Sequence, residues 1–179
     1  MYAQSTTLGI LAAIAIALPT MSAPTFTLQS TGAVRLHSAG HEARYGVVSP
    51  AISGRPVLTV SLGAETGTGA LHLTLPGDRL PTPGRYPIRS PWDEPGSDSA
   101  AFHASYMAGT AERPVGWFQG ESGWVTVTEA GEGRISGTFE IAARGFLASD
   151  LADEDQRVAV RGSFEAEGDS TAATIASAQ

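Results

Sequence analysis

The segment Ser122-Gly-Trp-Val-Thr-Val-Thr-Glu-Ala-Gly-Glu-Gly-Arg-Ile-Ser-Gly-Thr-Phe-Glu-Ile-Ala-Ala143 contains two alternating stretches joined by a glycine-rich turn. In the first stretch Val125 and Val127 share one face, and Trp124 lies with threonines on the other. In the second stretch the apolar residues again share one face, which carries Ile135, Phe139 and Ile141. Alternation with one polar face is typical of an antiparallel sheet that covers a core on one side. The segment therefore predicts an architecture, but it identifies no chemistry.

Strand-like runs separated by glycine and proline continue along the rest of the chain. The candidates are Thr25–Leu28, Ala33–His37, Glu42–Val48, Val57–Leu62, Ala70–Leu75, Arg85–Ile88, Ala101–Met107, Val115–Phe118, Gly123–Glu129, Arg134–Ala142 and Val158–Glu165. A spacing of about 8–15 residues between strands is the pattern of a sandwich or barrel. We predict an all-β, single-domain antiparallel β-sandwich, with a β-barrel as the alternative. The segment 146–156 is compatible with either a short helix or an acidic loop.

Two strand pairs are predicted in more detail. Val57–Leu62 and Ala70–Leu75 form a second hairpin, in which each strand presents alternating Leu or Val side chains to one face. The segments 135–141 and 160–166 repeat a Gly-x-Phe pattern with glycine and phenylalanine on the same inward face. We expect these two segments to be adjacent strands, in which the glycine makes room for an aromatic ring of its neighbour.

The amino terminus predicts export. The unbroken apolar run Leu8–Leu18 would rise about 16 Å as a helix, which is too short to cross a bilayer but fits a secretory signal. We predict a signal peptide over 1–22, a β-sandwich domain over 23–168 and a disordered tail over 169–179. A buried amino-terminal helix is the alternative, because no Lys or Arg precedes the apolar run. The expected location is the periplasm or the extracellular medium, with no transmembrane helix in the mature chain.

Composition narrows the expected partners. The chain has no cysteine, so it has no disulfide and no cysteine-linked lipid anchor. Its formal net charge of −7 disfavours a nucleic-acid partner. Residues 24–90 carry six arginines against three acidic residues, whereas 91–179 carry five against fifteen. We interpret this asymmetry as solvated loops and outward strand faces in preference to an electrostatic partner.

One pattern resembles a known group of proteins. Gly-x-Val-x-Val-Thr, a turn and then Arg-Ile-Ser-Gly-Thr-Phe-x-x-x-Ala is similar to a motif of uncharacterised secreted or lipid-anchored β-proteins of bacteria. The matching residues are Gly123, Val125, Val127, Thr128, Arg134, Ser136, Gly137, Thr138, Phe139 and Ala142. The resemblance implies a secreted β-protein with no assigned activity, so it supplies no functional residue. This chain departs from the lipid-anchored members because it lacks their cysteine.

Candidate reactive residues do not form a recognisable catalytic or metal site. His37 and His41 have metal-pair spacing only on a helix, and the flanking strands predict a hairpin turn there instead. His37 and His72 are both expected on outward faces. Their side chains would be able to touch if their two strands were neighbours. Ser122 lies in a predicted turn before Gly123 and lacks the surroundings of a serine nucleophile. Glu140 and Glu165 are expected on matching outward faces of the repeated strands, as candidate partners for glycoside hydrolysis.

The three tryptophans are the remaining candidates for ligand binding. Trp124 lies on the polar face of its strand, Trp92 in a predicted loop and Trp117 in a short strand. Exposed aromatic rings stack on sugars in many extracellular sandwiches, although packing beneath loops is the simpler interpretation. We therefore expect an exported, non-enzymatic protein with a binding or structural role, no cofactor and no metal. The sequence does not identify its partner, and both a glycan and a protein are compatible with it. The alternatives are a carbohydrate-binding module and a secreted hydrolase.

Overall fold

The computed structural model describes residues 26–49, 55–63, 69–90, 100–131 and 133–168, and every regular element in these ranges is a β-strand. The strands are β1 (Phe26–Gly32), β2 (Leu36–Gly40), β3 (Ala43–Val48), β4 (Val57–Leu62), β5 (Gly69–Pro76), β6 (Gly84–Pro87), β7 (His103–Gly109), β8 (Pro114–Gly131), β9 (Arg134–Leu147) and β10 (Gln156–Gly168). The predicted all-β class is confirmed. None of the described residues belongs to a helix able to cross a membrane. The predicted signal peptide and tail lie outside the described residues.

Hydrogen bonding joins seven of the strands into a closed ring. The ring runs from β10 through β3, β4, β5, β7, β8 and β9 back to β10. All pairs are antiparallel except β3 with β10, which meet in parallel through Arg44 opposite Glu167 and Tyr45 opposite Gly168. The structure is therefore consistent with the predicted antiparallel sandwich or barrel.

Three further strands widen one side of this ring. β1 adds to β10 and β2 adds to β1, whereas β6 adds to β8. The result is a six-stranded face in the order β2–β1–β10–β9–β8–β6. Among the described residues β2 and β6 form the outer edges of this face, with five and four residues respectively.

The core lies between the inward faces of the strands, as the alternation predicts. Val125, Val127, Ile135, Phe139 and Ile141 are all buried. The predicted β4–β5 hairpin is confirmed, because Leu58, Val60 and Leu62 lie opposite Leu75, Leu73 and Leu71 and all six side chains are buried. Burial of one such side chain contributes about 1.5–3 kcal/mol, so these pairs are a large part of the hydrophobic stabilisation.

The Gly-x-Phe repeat forms reciprocal contacts between β9 and β10, as predicted. Gly162 lies opposite Phe139, and Gly137 lies opposite Phe164. A Cβ atom on Gly162 would lie 2.7 Å from Cζ of Phe139, and one on Gly137 would lie 3.1 Å from Cζ of Phe164. The two rings stack with centroids 6.5 Å apart. Each glycine therefore provides the space that the ring of the opposite strand fills.

Strand β8 corrects two predictions. The segments Val115–Phe118 and Gly123–Glu129, predicted as separate strands, belong to one strand of 18 residues, and Ser122 lies within it rather than at a turn. The pairing with β9 shifts between Gly120 and Ser122, where a bulge lets Gly123 adopt a φ of 126°. A bulge and a turn favour the same small residues, and the bulge bends the strand without ending it.

The bulge also decides which side chains face outward. Before Glu121 the buried residues of β8 have even numbers, and after it they have odd numbers. Trp117 and Trp124 are seven residues apart, so an uninterrupted strand would place them on opposite faces. Because the bulge adds one residue, both tryptophans are exposed, by 43% and 41%.

Two further predictions are resolved by the strand order and by the turns that follow β9. The segment Leu36–Gly40 is a strand paired with β1, so the hairpin turn predicted between His37 and His41 is wrong. β2 and β3 are not paired, because β1 and β10 lie between them in the sheet. Residues 148–155 form turns, which resolves the helix-or-loop alternative in favour of a loop.

Candidate functional site

The outward side of the six-stranded face carries an open groove of about 520 Å³, which we call the polar groove. Its lining side chains are contributed by β1, β2, β6, β8, β9 and β10. They include Thr27, Gln29, His37, Arg85, Trp124, Thr126, Thr138, Glu140 and Arg161. Each of these nine side chains carries a polar group, including the indole N–H of Trp124, so the groove offers hydrogen-bond donors and acceptors beside one exposed aromatic ring.

Strand register places these side chains in two rows across the sheet. The first row runs His37, Gln29, Arg161, Glu140 and Trp124, each opposite the next in the pairing. The second row, two residues away along the strands, runs Thr27, Ser163, Thr138, Thr126 and Arg85. Neighbouring strands are about 4.8 Å apart, so Trp124 and Arg161 in the first row are separated by about 10 Å.

Trp124 is held by a cation–π contact. The guanidinium carbon of Arg85 lies 4.1 Å from the centroid of the Trp124 ring. Such contacts contribute about 0.5–1 kcal/mol at exposed positions. Trp124, Arg85 and Glu140 also line a second depression toward Ser122, so they form the ridge between the two hollows. The ring is thus positioned at the boundary of the polar groove while much of it stays accessible.

Arg161 is fixed by a neutral partner. Its Nε and Nη2 atoms donate hydrogen bonds of 3.1 and 2.9 Å to Oε1 of Gln29. Glu140 lies directly opposite Arg161 in the register, yet within the described part of the chain the two form no ion pair closer than 4 Å. The groove therefore presents a held guanidinium group and a separate carboxylate.

The other tryptophan candidates lie elsewhere. Trp117 is opposite Met107 on β7 and Phe146 on β9, all on the outward side, so its surroundings are apolar. It does not line the polar groove. Trp92 lies outside the described residues. Of the three predicted candidates, Trp124 is the one that the described structure combines with polar side chains.

The hydrolase candidates are not brought together. Glu140 lies opposite Arg161 and Glu165 lies opposite Ser136, so the two carboxylates are offset by four residues, about 13 Å along the strand. Both side chains are exposed on outward positions, as predicted, but Glu140 and Glu165 do not lie beside each other. Ser122 lies on β8 opposite Ala142, and it has no hydrogen bond to a histidine in the described ranges.

The histidines are dispersed. His37 on β2 and His72 on β5 are exposed, as predicted, but their strands are not neighbours, so the suggested contact between them is wrong. His103 is close to the backbone oxygen of Arg89, with Nδ1 at 3.0 Å. Among the residues that the structure describes, no three His, Asp or Glu side chains are grouped as metal ligands.

Several residues of the polar groove did not emerge from the sequence. Arg85, Arg161 and Gln29 were not candidates, because strand alternation indicates a face but not which strands share it. The hairpin register between β8 and β9 was readable, whereas the pairings β1–β10 and β6–β8 join segments far apart in the chain. The sequence does offer one signal for Arg161. Alternation places it at an outward position of a strand that is predicted to pair with β9.

Comparison with known proteins yields no relative from which a function can be transferred. No protein-family model, curated protein or solved structure matches the chain. The resemblance to secreted bacterial β-proteins therefore stays a prediction, and the geometry of the polar groove is the basis for inferring function.

Proposed function

We propose that this protein is an exported, non-enzymatic binding protein whose polar groove holds a glycan. The observation that carries the proposal is Trp124, an exposed aromatic ring placed in a row of hydrogen-bonding side chains from neighbouring strands. A sugar ring has an apolar C–H face and a rim of hydroxyl groups. Trp124 offers a matching apolar surface, while Gln29, Glu140 and Arg161 offer partners for hydroxyls.

The shape of the groove favours an elongated polar ligand. Sites for small apolar molecules are enclosed and lined mainly by apolar side chains. The polar groove is instead an open channel across several strands with mostly polar side chains. Such a surface suits a chain of sugars that lies across the sheet and remains partly in solvent.

The carboxylate inventory supports binding in preference to cleavage. Glycoside hydrolysis usually requires two carboxyl groups flanking the bond, at most about 9.5 Å apart. Glu140 is the one acidic residue among the described residues that line the groove, and Glu165 is offset from it by about 13 Å along the strand. The predicted signal peptide supports export.

The test compares two tryptophans on the same strand. Trp124→Ala is expected to weaken glycan binding more than about tenfold, because truncation of a central aromatic anchor costs about 2 kcal/mol or more. Trp117→Ala is the matched control, since it removes an equally exposed ring outside the groove. Affinity electrophoresis and calorimetry against a panel of polysaccharides measure both variants.

Melting temperatures of the two variants separate loss of binding from loss of folding. Retained binding by a folded Trp124→Ala variant would contradict the role of the groove. Equal losses in both variants would assign the effect to general destabilisation instead.

A further inference from the structure

We propose that the glycan held in the polar groove is an acidic polysaccharide, in which a sugar carboxylate binds Arg161 while a sugar ring packs on Trp124. This inference rests on the proposed function and specifies the chemical class of its ligand. It follows from the charges in the groove and from how each charged group is held.

The groove is positively charged on a negatively charged protein. It contains two guanidinium groups, from Arg85 and Arg161, against the single carboxylate of Glu140. The whole chain has a formal net charge of −7. The local excess of positive charge attracts anions to the groove. The negative charge on the rest of the protein disfavours their binding elsewhere on the surface.

Both guanidinium groups are held by neutral partners. Arg161 donates to the Gln29 amide oxygen, and Arg85 lies over the Trp124 ring. Neither forms an ion pair with a carboxylate in the described ranges. On the same sheet, Arg144 pairs with Glu121 at 2.9 Å and Arg134 pairs with Glu129 at 3.2 Å. The charges in the groove are therefore positioned but not neutralised.

The contacts of Arg161 leave part of its guanidinium group available. An arginine has five N–H donors, and the Gln29 oxygen accepts from two nitrogen atoms, Nε and Nη2. The remaining donors can bind a carboxylate, for which the planar guanidinium group is well shaped. Gln29 fixes the orientation of the side chain in advance, which lowers the entropy lost on binding.

The spacing of the first row suits a polymer of sugars. Trp124 and Arg161 lie two strands apart, about 10 Å, with Glu140 between them. This span corresponds to linked sugar rings rather than to one ring. A neutral hydroxyl-bearing part of the ligand faces Glu140, because a second carboxylate placed there would be repelled.

The experiment uses pairs of polysaccharides that differ only in charge. Polygalacturonate and alginate are each compared with their carboxyl-reduced forms, which keep the sugar linkages but lack the carboxylates. Calorimetry with the purified protein is expected to give at least about tenfold tighter binding of an acidic form than of its reduced form. This preference should shrink as ionic strength rises from about 10 mM to about 1 M, which shortens the Debye length from about 30 Å to about 3 Å.

Two variants in the groove are expected to act in opposite directions. Arg161→Gln should weaken binding of the acidic form about tenfold and binding of the reduced form severalfold less, because the glutamine amide still hydrogen-bonds a hydroxyl but cannot form an ion pair with a carboxylate. Glu140→Gln should strengthen binding of the acidic form severalfold, because it removes a repulsive charge. Arg134→Gln is the matched control, since it changes the net charge equally but lies outside the groove.

The outcomes distinguish this inference from the proposed function. Equal binding of acidic and reduced forms, with no effect of Arg161→Gln but a loss in Trp124→Ala, would overturn the acidic class and retain a glycan site. Equal effects of Arg161→Gln and Arg134→Gln would assign the preference to overall charge and overturn the inference. Binding of neither form would overturn the acidic class, and binding of no member of the polysaccharide panel would overturn both proposals.

Discussion

Glycine occupies positions 137 and 162 because each of these positions faces a phenylalanine ring of the adjoining strand. Their reciprocal placement opposite Phe164 and Phe139 follows from a register in which the two repeats lie antiparallel. Each contact depends on the absence of one carbon atom, since a Cβ on Gly162 would lie 2.7 Å from the ring of Phe139. The backbone oxygen of Thr27 is closer still, and backbone cannot move aside as readily as a flexible side chain.

Substitution of Gly162 by alanine tests this packing. Gly162→Ala is expected to lower the free energy of unfolding by about 1–3 kcal/mol, the usual cost of overpacking a filled core. The melting temperature should fall by about 2–4 °C per kcal/mol. Gly131→Ala is the control, because a Cβ there meets nothing within 4 Å. A Gly162→Ala variant as stable as the wild-type protein would contradict the reciprocal contacts.

The positions of some single residues follow from the sequence alone, whereas the role of Arg161 does not. The glycine–phenylalanine pairs were predictable because alternation and repetition both indicate an inward face. Alternation with the inward Val125 and Val127 likewise made Trp124 predictable as an outward residue. Arg161 was not recognised as a site residue, because its role depends on Gln29 of β1, more than 130 positions away along the chain.

At the scale of elements, the bulge in β8 places both exposed tryptophans. The extra residue at Glu121 changes the inward set from even to odd positions. The sequence Gly120-Glu-Ser-Gly123 predicts a turn as readily as a bulge, because glycine and serine favour both of these structures. Only the long partner strand β9, which pairs with β8 on both sides of the bulge, distinguishes the two.

Deletion of Glu121 is expected to prevent folding. Without the extra residue, alternation along β8 would turn either the inward residues before the bulge or Val125 and Val127 toward solvent. The charge-neutral comparison is Glu121→Gln, which loses only the exposed ion pair with Arg144 and should change stability by less than about 1 kcal/mol. Circular dichroism and thermal melting measure both variants. Native-like melting of the deletion variant would show that the bulge is dispensable.

In the molecule as a whole, two titrating groups contribute to the pH dependence of stability. Partial desolvation lowers the pKa of His72 below its ordinary value of 6.5, although much of the side chain is exposed on β5. Burial raises the pKa of the Tyr106 hydroxyl above its ordinary value of 10.0, and its hydrogen bond to Ser30 opposes this shift. Both shifts favour the neutral group in the folded state.

The signs of these shifts predict stability on either side of neutrality. Below about pH 6.5 the unfolded chain protonates its histidine before the folded protein does, so His72 lowers the free energy of unfolding as pH falls. Above about pH 10 the unfolded chain ionises its tyrosine first, so Tyr106 lowers stability as pH rises.

Melting temperature measured as a function of pH reports both effects, on the acid side and on the alkaline side. His72→Gln is expected to reduce the loss of stability as the pH falls below about 6.5. His37→Gln serves as the control, because it removes another exposed histidine of the described sheet. An unchanged acid-side slope in His72→Gln would contradict the contribution of His72.

The short outer strands of the six-stranded face have a consequence for behaviour at high concentration. β2 and β6 offer only five and four residues of edge, and β6 ends at Pro87, whose nitrogen carries no hydrogen to donate. Long, flat edges are templates for uncontrolled strand addition between molecules. Within the described residues, the closed ring and its three added strands form a broad face that ends in two short strands, which restricts growth into fibrils.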